Sequence, residues 1–157
     1  MDRKEILEKV APCSLMCSTC SAYCKGVIPE TARTLLKDLS GMKEFYEKHM
    51  PGAVEDYTKF EGILSMYSGG PCHGCRSGER NGCSIAGCFI LDCTREQGVD
   101  FCGECGEFPC PKVSDLFEEE VYQQWLEGNQ QIRDEGIEGF FAKNSEKPHY
   151  EAYKKRA

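Results

Sequence analysis

The chain has 157 residues, a formal net charge of −7 and twelve cysteines. This length fits one ordinary domain, residues 1–157, and the acidity argues against a protein that holds nucleic acid by bulk charge attraction. Basic clusters are short, such as Arg76 with Arg80. The first ten residues mix acidic, basic and apolar side chains, so they predict neither a signal peptide nor a membrane span. We therefore expect a cytoplasmic protein, in which thiols stay reduced and cysteines serve metal binding or catalysis more often than disulfides.

The chain begins with a short predicted helix, residues 2–10, which carries Ile6, Leu7 and Val10 on one side and ends before Pro12. The first cysteine group, residues 13–24, follows directly. Small polar residues separate its four thiols and favour turns over a regular helix. This group could supply one complete metal site through Cys13, Cys17, Cys20 and Cys24.

Residues 29–67 predict a helical hairpin. Apolar residues recur at steps of three and four positions in both halves, and the pattern is interrupted at Ser40 and Gly41. Pro51 suits the first turn of the second helix, which should stop at residues 68–71. We expect the tyrosine and methionine side chains of this hairpin to pack in the core and at its rim.

The main cysteine-rich lobe, residues 72–110, begins and ends with C-x2-C pairs. In such a turn two thiolates can converge on one ion while backbone N–H groups point at the sulfurs. Gly74 and Gly106 can take the left-handed conformation that these turns tend to need. The candidate ligands of this lobe are Cys72, Cys75, Cys83, Cys88, Cys93, Cys102, Cys105 and Cys110.

Residues 111–142 predict the C-terminal helices. Pro111 should open a helix that Gly128 breaks, and two short helical turns should pivot at Gly136. We expect four apolar residues, called the apolar lock, to pack against the helical lobe formed by residues 29–67 and 111–142: Ile132, Ile137, Phe140 and Phe141. We expect the polar last dozen residues to fray.

Zinc is the metal that closed sites of four thiolates favour, and we predict about two to three ions. Because short loops cost less entropy to close, we expect the thiols to divide by sequence proximity. The first group would hold one ion, with Cys24 as its least secure ligand. Cys72, Cys75 and Cys83 would hold a second with Cys88 or Cys93. Cys102, Cys105 and Cys110 would hold a third with the remaining one of that pair.

Two alternatives stay open. An iron–sulfur electron carrier is one, because Cys110 precedes Pro111 and a Cys-Pro step also closes ferredoxin ligand runs. A metalloenzyme or metal-handling protein with an open coordination position is the other. No catalytic triad or phosphate loop is visible. Of the histidines, we expect His73 to be an exposed residue of its turn, and His49 and His149 have no partner in view.

Five stretches together resemble a known family: residues 13–23, 72–76, 93–99, 102–110 and 129–141. The pattern is similar to the cysteine-rich domain of unknown function 3795, found in bacteria and archaea and assumed to bind zinc. The last stretch matches an Asn-x-x-Ile-x-x-x-Gly pattern through Asn129, Ile132 and Gly136. The chain departs from the family at Ser14, where glycine is expected, and at Cys24, which lies outside the common set. The resemblance supports metal binding and implies no activity or substrate.

The fold expected from these observations is a small α-rich, metal-stabilised domain. A helical hairpin and C-terminal helices would pack on irregular cysteine-rich lobes that contain at most short hairpins. The expected function is that of a zinc-binding, non-catalytic interaction or adaptor module with structural sites of four cysteines each. Its partner would be a protein, with neither nucleic acid nor membrane involved.

Overall fold

A computed structural model describes residues 1–79, 83 and 85–154. All regular structure in these residues is helical, apart from two isolated β-bridges, and none of these helices is both long and apolar enough to cross a bilayer. The α-rich expectation is thereby confirmed. The helices are α1 Arg3–Lys9, α2 Val27–Asp38, α3 Met42–His49, α4 Val54–Ser68, α5 Ile90–Glu96 and α6 Glu119–Asn144. Short 3-10 turns lie at Cys17–Thr19, Pro51–Ala53, Cys75–Ser77, Cys102–Glu104, Pro111–Val113 and Glu151–Tyr153.

Helix α1 forms where the sequence predicts it, and its first turn is capped by side chains. Asp2 caps the first turn: its carboxylate accepts the N–H of Glu5, and the Glu5 carboxylate accepts the N–H of Asp2. Ile6 is buried on the inner side, and the helix ends at Lys9, three residues before Pro12. The helix therefore delivers the chain directly into the first cysteine group.

The predicted hairpin is present as α2, α3 and α4, with α2 packed along α4 and α3 folded against α4. The interruption falls at Gly41, whose φ of 85° lies in the left-handed region that glycine tolerates. Pro51 opens a 3-10 turn that continues into α4. The packing is thin, since only Pro29, Ala32, Tyr57 and Leu64 of these helices are buried.

Helix α6 differs from the predicted C-terminal helices. Pro111 opens only a 3-10 turn, and the long helix starts at Glu119 and runs through Gly128 without a break. Gly128 serves close packing instead, because a Cβ there would lie 2.5 Å from Oγ of Ser14. The predicted pivot at Gly136 is confirmed by a φ of 76° inside the helix.

Two apolar clusters form the core, and both lie outside the hairpin. The first joins α1 to both halves of α6 and contains Ile6, Val10, Met16, Phe101, Ile132, Ile137 and Phe140, with Phe141 packed against it. The expected lock thus closes on α1 and on the segment around Phe101, not on the hairpin. The second cluster surrounds Trp125 and contains Ala11, Cys13, Ile90, Phe108 and Val113. Cysteines pack directly against this second cluster.

Two expectations about the cysteine-rich lobe and the end of the chain are wrong. The lobe contains a regular helix, α5, because Ile90 and Thr94 lie on one helical face and are buried. The predicted fraying of the last dozen residues is not seen in residues 146–154, the part that the structure describes. Tyr150 bonds to Ser21, and His149 bonds to the carbonyl of Met16.

The side chain of Asn129 joins α6 to the cysteine segments. Asn129 is fully buried, and its Oδ1 accepts the N–H of Gly103 at 2.8 Å. Its Nδ2 lies 3.2 Å from the carbonyl oxygen of Cys13 and 3.0 Å from Oγ of Ser14, and donates also to the carbonyl of Trp125 at 2.8 Å. A Cβ at Gly103 would lie 2.3 Å from the carbonyl oxygen of Asn129. Glycine is therefore required where the Cys102 turn meets the helix.

We expect Asn129→Ala to lower the free energy of unfolding by about 2–4 kcal/mol, because it leaves buried polar groups from two segments without partners. Urea unfolding followed by circular dichroism measures the change. The control is Gln130→Ala, next to Asn129, since the Gln130 side chain bonds at the surface to Asp134. That change should stay within about 0.5 kcal/mol. Equal effects of the two substitutions would contradict the role given to Asn129.

Candidate metal centre

All twelve cysteines are free thiols. Cys13 is buried, ten others are half-buried, and Cys83 is exposed. They sit mainly in turns: Cys17, Cys75 and Cys102 each begin a 3-10 turn, and Cys93 lies on α5. These turns bring pairs of sulfurs close in sequence to the same region of space, and α1, α5 and α6 hold the turns in place.

Backbone N–H groups point at four of the sulfurs, each from the residue two positions further along the chain. Gly74 N lies 3.4 Å from Cys72 Sγ, and Glu107 N lies 3.4 Å from Cys105 Sγ. Leu15 does the same for Cys13, and Ala22 for Cys20. Such donors favour the thiolate over the thiol. The expectation of N–H groups aimed at sulfur is met at both predicted C-x2-C pairs.

The glycines of these turns have different roles. Gly74 has a φ of 90°, as the sequence suggested, and its position is crowded by the ring of Tyr23, 3.3 Å from where a Cβ would lie. Gly106 does not adopt a positive φ. The second pair therefore closes its turn without a left-handed residue.

Eight thiols from two distant segments lie together, and we call them the mixed group. Burial raises the pKa of Cys13 well above its usual value, and charge on Cys75 and Cys17 would raise it further. Burial raises the pKa of Cys72, with contributions from Cys83 and Cys20. Two backbone bonds of 2.8 Å, Cys24 N to Cys72 O and Cys72 N to Ala22 O, hold the segments side by side. The mixed group consists of Cys13, Cys17, Cys20, Cys24, Cys72, Cys75, Cys83 and Cys88.

The mixed group shows that the first cysteine group does not stand apart, as the division by sequence proximity assumed, while the division of the thiols among ions stays a prediction. A charge on Cys75 or Cys72 would raise the pKa of Cys17, which places the two segments side by side. The physical reason is that the helical hairpin closes the long loop between the segments through α2 and α4. The entropy of joining residues 13–24 to residues 72–88 is therefore offset by helix packing.

The remaining four thiols form the C-terminal group, Cys93, Cys102, Cys105 and Cys110. Burial raises the pKa of Cys102 to about 11, and a hydrogen bond from Trp125 acts in the opposite direction. Nε1 of Trp125 is buried without a hydrogen-bond partner of normal geometry, and the Cys102 sulfur is the nearby group whose pKa it acts to lower.

Within residues 1–79, 83 and 85–154, no group of three or more His, Cys, Asp or Glu side chains is arranged so that it could hold a metal ion as it stands. The thiols would have to turn toward a shared ion. The donor set nevertheless fits a thiophilic cation. Several buried thiols side by side cannot all ionise without a compensating positive charge, which a bound divalent metal ion would supply.

Arg76 is the cation that the structure itself places beside the mixed group. Its guanidinium donates to the carbonyls of Leu7, Val10 and Asp100 at 2.6–2.8 Å and lies 5.0 Å from the ring centroid of Phe101. Its charge acts to lower the pKa of Cys75, although burial outweighs this effect. The sequence suggested a short basic cluster of Arg76 with Arg80. Arg76 instead connects separate segments through its hydrogen bonds, and Arg80 lies outside the described residues.

Cys20 has surroundings unlike those of the other thiols. Burial alone would raise the pKa of Cys20, but hydrogen bonds from His149, from the backbone of Ala22 and from Tyr150 lower it to about 7. The Tyr150 Oη atom lies 3.6 Å from its sulfur. Cys24 has a histidine neighbour too, with His73 Nδ1 at 3.7 Å. His73 is exposed, as the sequence predicted, and it also contacts this thiol.

Several of these roles were not predicted from the sequence. No short-range sequence pattern predicts the roles of Trp125 and Arg76, because the groups they interact with lie far along the chain. The sequence does contain a signal for the role of Ser14, because Ser14 stands where the family pattern has glycine. Its φ of 69° lies in the region that glycine favours. Its Oγ accepts from Asn129 at 3.0 Å, a bond that offsets part of the backbone strain.

The fold and the thiol groups define a small helical, cysteine-rich protein with two thiol clusters and no strands in the part of the chain described. A family model described as "Protein of unknown function (DUF3795)" matches residues 9–115, and the chain belongs to this family. The match covers both thiol groups and ends before α6. Comparisons with curated proteins and with solved structures find no match.

In metal-free protein we expect Cys20 to react with iodoacetamide before Cys75 and Cys102 at pH 7. With a pKa of about 7 it is about half thiolate at that pH, whereas Cys75 and Cys102, each with a pKa of about 11, stay protonated. Peptide mass spectrometry after short exposures at pH 6, 7 and 8 measures the rates. His149→Phe should slow Cys20 by removing its donor. Faster labelling of Cys75 or Cys102 would contradict this ranking.

Proposed function

We propose that this chain is a zinc-binding protein whose cysteines form structural sites of four thiolates each. The main support for this proposal is a set of four backbone N–H groups, each of which points at a cysteine sulfur two positions earlier in the chain. The four cysteines are Cys13, Cys20, Cys72 and Cys105. Such donors stabilise thiolate charge and have little to stabilise in a neutral thiol. Bound zinc would neutralise the thiolates and link segments that share few large apolar side chains.

The thiol-rich surroundings support a structural role over a catalytic one. Twelve thiols suffice for about three four-coordinate ions, which leaves no vacant position on any of them. Trp125 and the second apolar cluster pack against the C-terminal group, and such packing restricts access to a substrate. We therefore propose a non-catalytic interaction or adaptor module, in which metal fixes the shape that a partner recognises.

Protein purified without chelator should contain about two to three zinc ions per chain, measured by mass spectrometry of the metals. EDTA should unfold the thiol segments before α2 and α4 melt, because metal binding in such modules contributes on the order of 10 kcal/mol. Brown protein with iron in excess of zinc would replace this proposal with an electron carrier. Zinc with an exchangeable water ligand would favour an enzyme.

Serine substitutions test which thiols matter. Cys105→Ser should remove about one metal equivalent and destabilise the protein, because Cys105 has its own N–H donor in the C-terminal group. Cys24→Ser should have a smaller effect, since Cys24 contacts His73 and lacks such a donor. Ala142→Ser, at an exposed position of α6, controls for the new hydroxyl and should change neither metal content nor stability.

The hairpin supplies the surface for the proposed interaction. Phe60 is 43% exposed and Ile63 is 52% exposed, although both lie on a well-formed helix. Exposed apolar residues grouped in one element mark protein contacts more often than chance placement does. The exposed apolar residues of α2 to α4 and their connections are Val27, Leu35, Phe45, Met50, Phe60, Ile63, Met66 and Tyr67.

A photo-crosslinking amino acid at position 63 should give a discrete crosslinked protein product in cells. The same amino acid at Glu119, exposed at the start of α6, serves as the control and should not give that product. Phe60→Ser should reduce crosslinking from position 63 while leaving metal content unchanged, because Phe60 is exposed and distant in sequence from any cysteine. Equal products from both positions would contradict the hairpin as the contact surface.

A further inference from the structure

The chain that follows α6 forms a strap, residues 146–154, which crosses the first cysteine group. Each backbone hydrogen bond of the strap runs to a residue three positions earlier. Glu151 N donates to the carbonyl of Pro148 at 3.2 Å, and Lys154 N donates to that of Glu151 at 3.0 Å. None of residues 146–154 is buried. In the part of the chain that the structure describes, the strap is therefore joined to the body of the protein through side chains alone.

Two side chains attach the first half of the strap. Nδ1 of His149 lies 2.8 Å from the carbonyl oxygen of Met16, and since a carbonyl can only accept, Nδ1 donates. The N–H of Ser21 donates to the hydroxyl oxygen of Tyr150 at 3.1 Å, and this oxygen lies 2.6 Å from Oγ of Ser21. The same oxygen lies 3.6 Å from Sγ of Cys20. The strap thus places a phenol directly beside this sulfur.

A third side chain attaches the far end of the strap. The hydroxyl of Tyr153 donates to the carboxylate of Glu118, the residue that precedes α6. Between the strap and α6 lies a cleft of about 1070 Å³, whose lining includes Met16 and Phe140. The strap therefore bridges open space between its attachment points instead of packing along a continuous surface.

This attachment is weaker than the packing of the apolar clusters. Tyr150 is 44% exposed and Tyr153 is 50% exposed, so water competes for the hydrogen bonds of both hydroxyls. Segments with few buried contacts and exposed hydrogen bonds open locally, at free energies well below that of global unfolding. Three side-chain attachments thus decide whether the strap is closed.

We propose that the strap opens and closes as one unit and that it controls access to Cys20. In the closed form the Tyr150 side chain stands beside the sulfur, and in the open form the sulfur faces solvent. A reagent too large to pass the closed strap then reaches Cys20 only through the open form. This inference goes beyond the proposed function and does not depend on a bound metal ion.

The first test measures amide hydrogen exchange by NMR in full-length Tyr153→Phe protein. The lost bond joins Tyr153 to Glu118, so only a strap that moves as one unit carries the effect to Ser21. We expect the Ser21 N–H to exchange about fivefold faster, the effect of one net hydrogen bond on an opening equilibrium. Tyr67→Phe, at an exposed tyrosine of α4, is the matched control and should leave this exchange unchanged.

The second test measures access to Cys20 itself. A bulky fluorescein maleimide is used at concentrations where the labelling rate is proportional to the reagent, and peptide mass spectrometry resolves Cys20 from the other thiols. Tyr153→Phe should speed this labelling by the same factor as the exchange of the Ser21 N–H, because both report one opening equilibrium. Tyr67→Phe should label Cys20 at the wild-type rate.

Two results would overturn a strap that moves as one unit. One is faster exchange in Tyr153→Phe confined to residues 151–154, which would mean that the end of the strap frays alone. The other is a Ser21 N–H that exchanges as slowly as that of Ile132, buried in α6, in the wild type and in Tyr153→Phe. Faster exchange at Ser21 without faster labelling of Cys20 would overturn the control of access. The metal content of the protein tests the proposed function separately.

Discussion

The buried amide of Asn129 connects three parts of the chain that share no secondary structure. It accepts from Gly103 in the C-terminal group and donates to the segment of Cys13 and Ser14 in the mixed group, while its own backbone belongs to α6. A buried amide whose donors and acceptor are all occupied permits one relative placement of these segments, since any shift leaves a polar group unpaired. Small residues make the approach possible: Gly103 and Gly128 lie where a Cβ would collide with Asn129 and Ser14.

Charge imposes the second constraint on this fold. Burial raises the pKa of most of the shielded thiols, and each charged thiol raises the pKa of its neighbours. Backbone N–H groups, the indole of Trp125 and the guanidinium of Arg76 all act in the opposite direction. These donors are fixed in place by the turns and by the apolar clusters. Burial outweighs these groups at Cys75 and Cys102, whose pKa values are raised to about 11, so both thiols stay protonated at neutral pH.

The hairpin and the cysteine-bearing part of the chain have different structural roles. Helices α2 and α4 pack mainly on each other and keep a row of large apolar side chains exposed, so they contribute little to the clusters around Phe101 and Trp125. Their structural contribution is topological, because they return the chain so that residues 13–24 meet residues 72–88. The exposed side chains remain available for a partner.

The local elements of this protein can be predicted from the amino-acid sequence. The helix before Cys13, the hairpin with its break at Gly41, the pivot at Gly136 and the cysteine turns with N–H donors all follow from patterns a few residues long. The grouping of the thiols depends on long-range packing, because a hairpin whose packing the sequence pattern does not specify brings Cys17 near Cys72 and Cys75. The tertiary structure also decided that Gly128 packs instead of breaking a helix, and that Arg76, Trp125 and His149 lie beside thiols. Contacts over such separations depend on how whole helices seat against each other, and no short-range spacing encodes that.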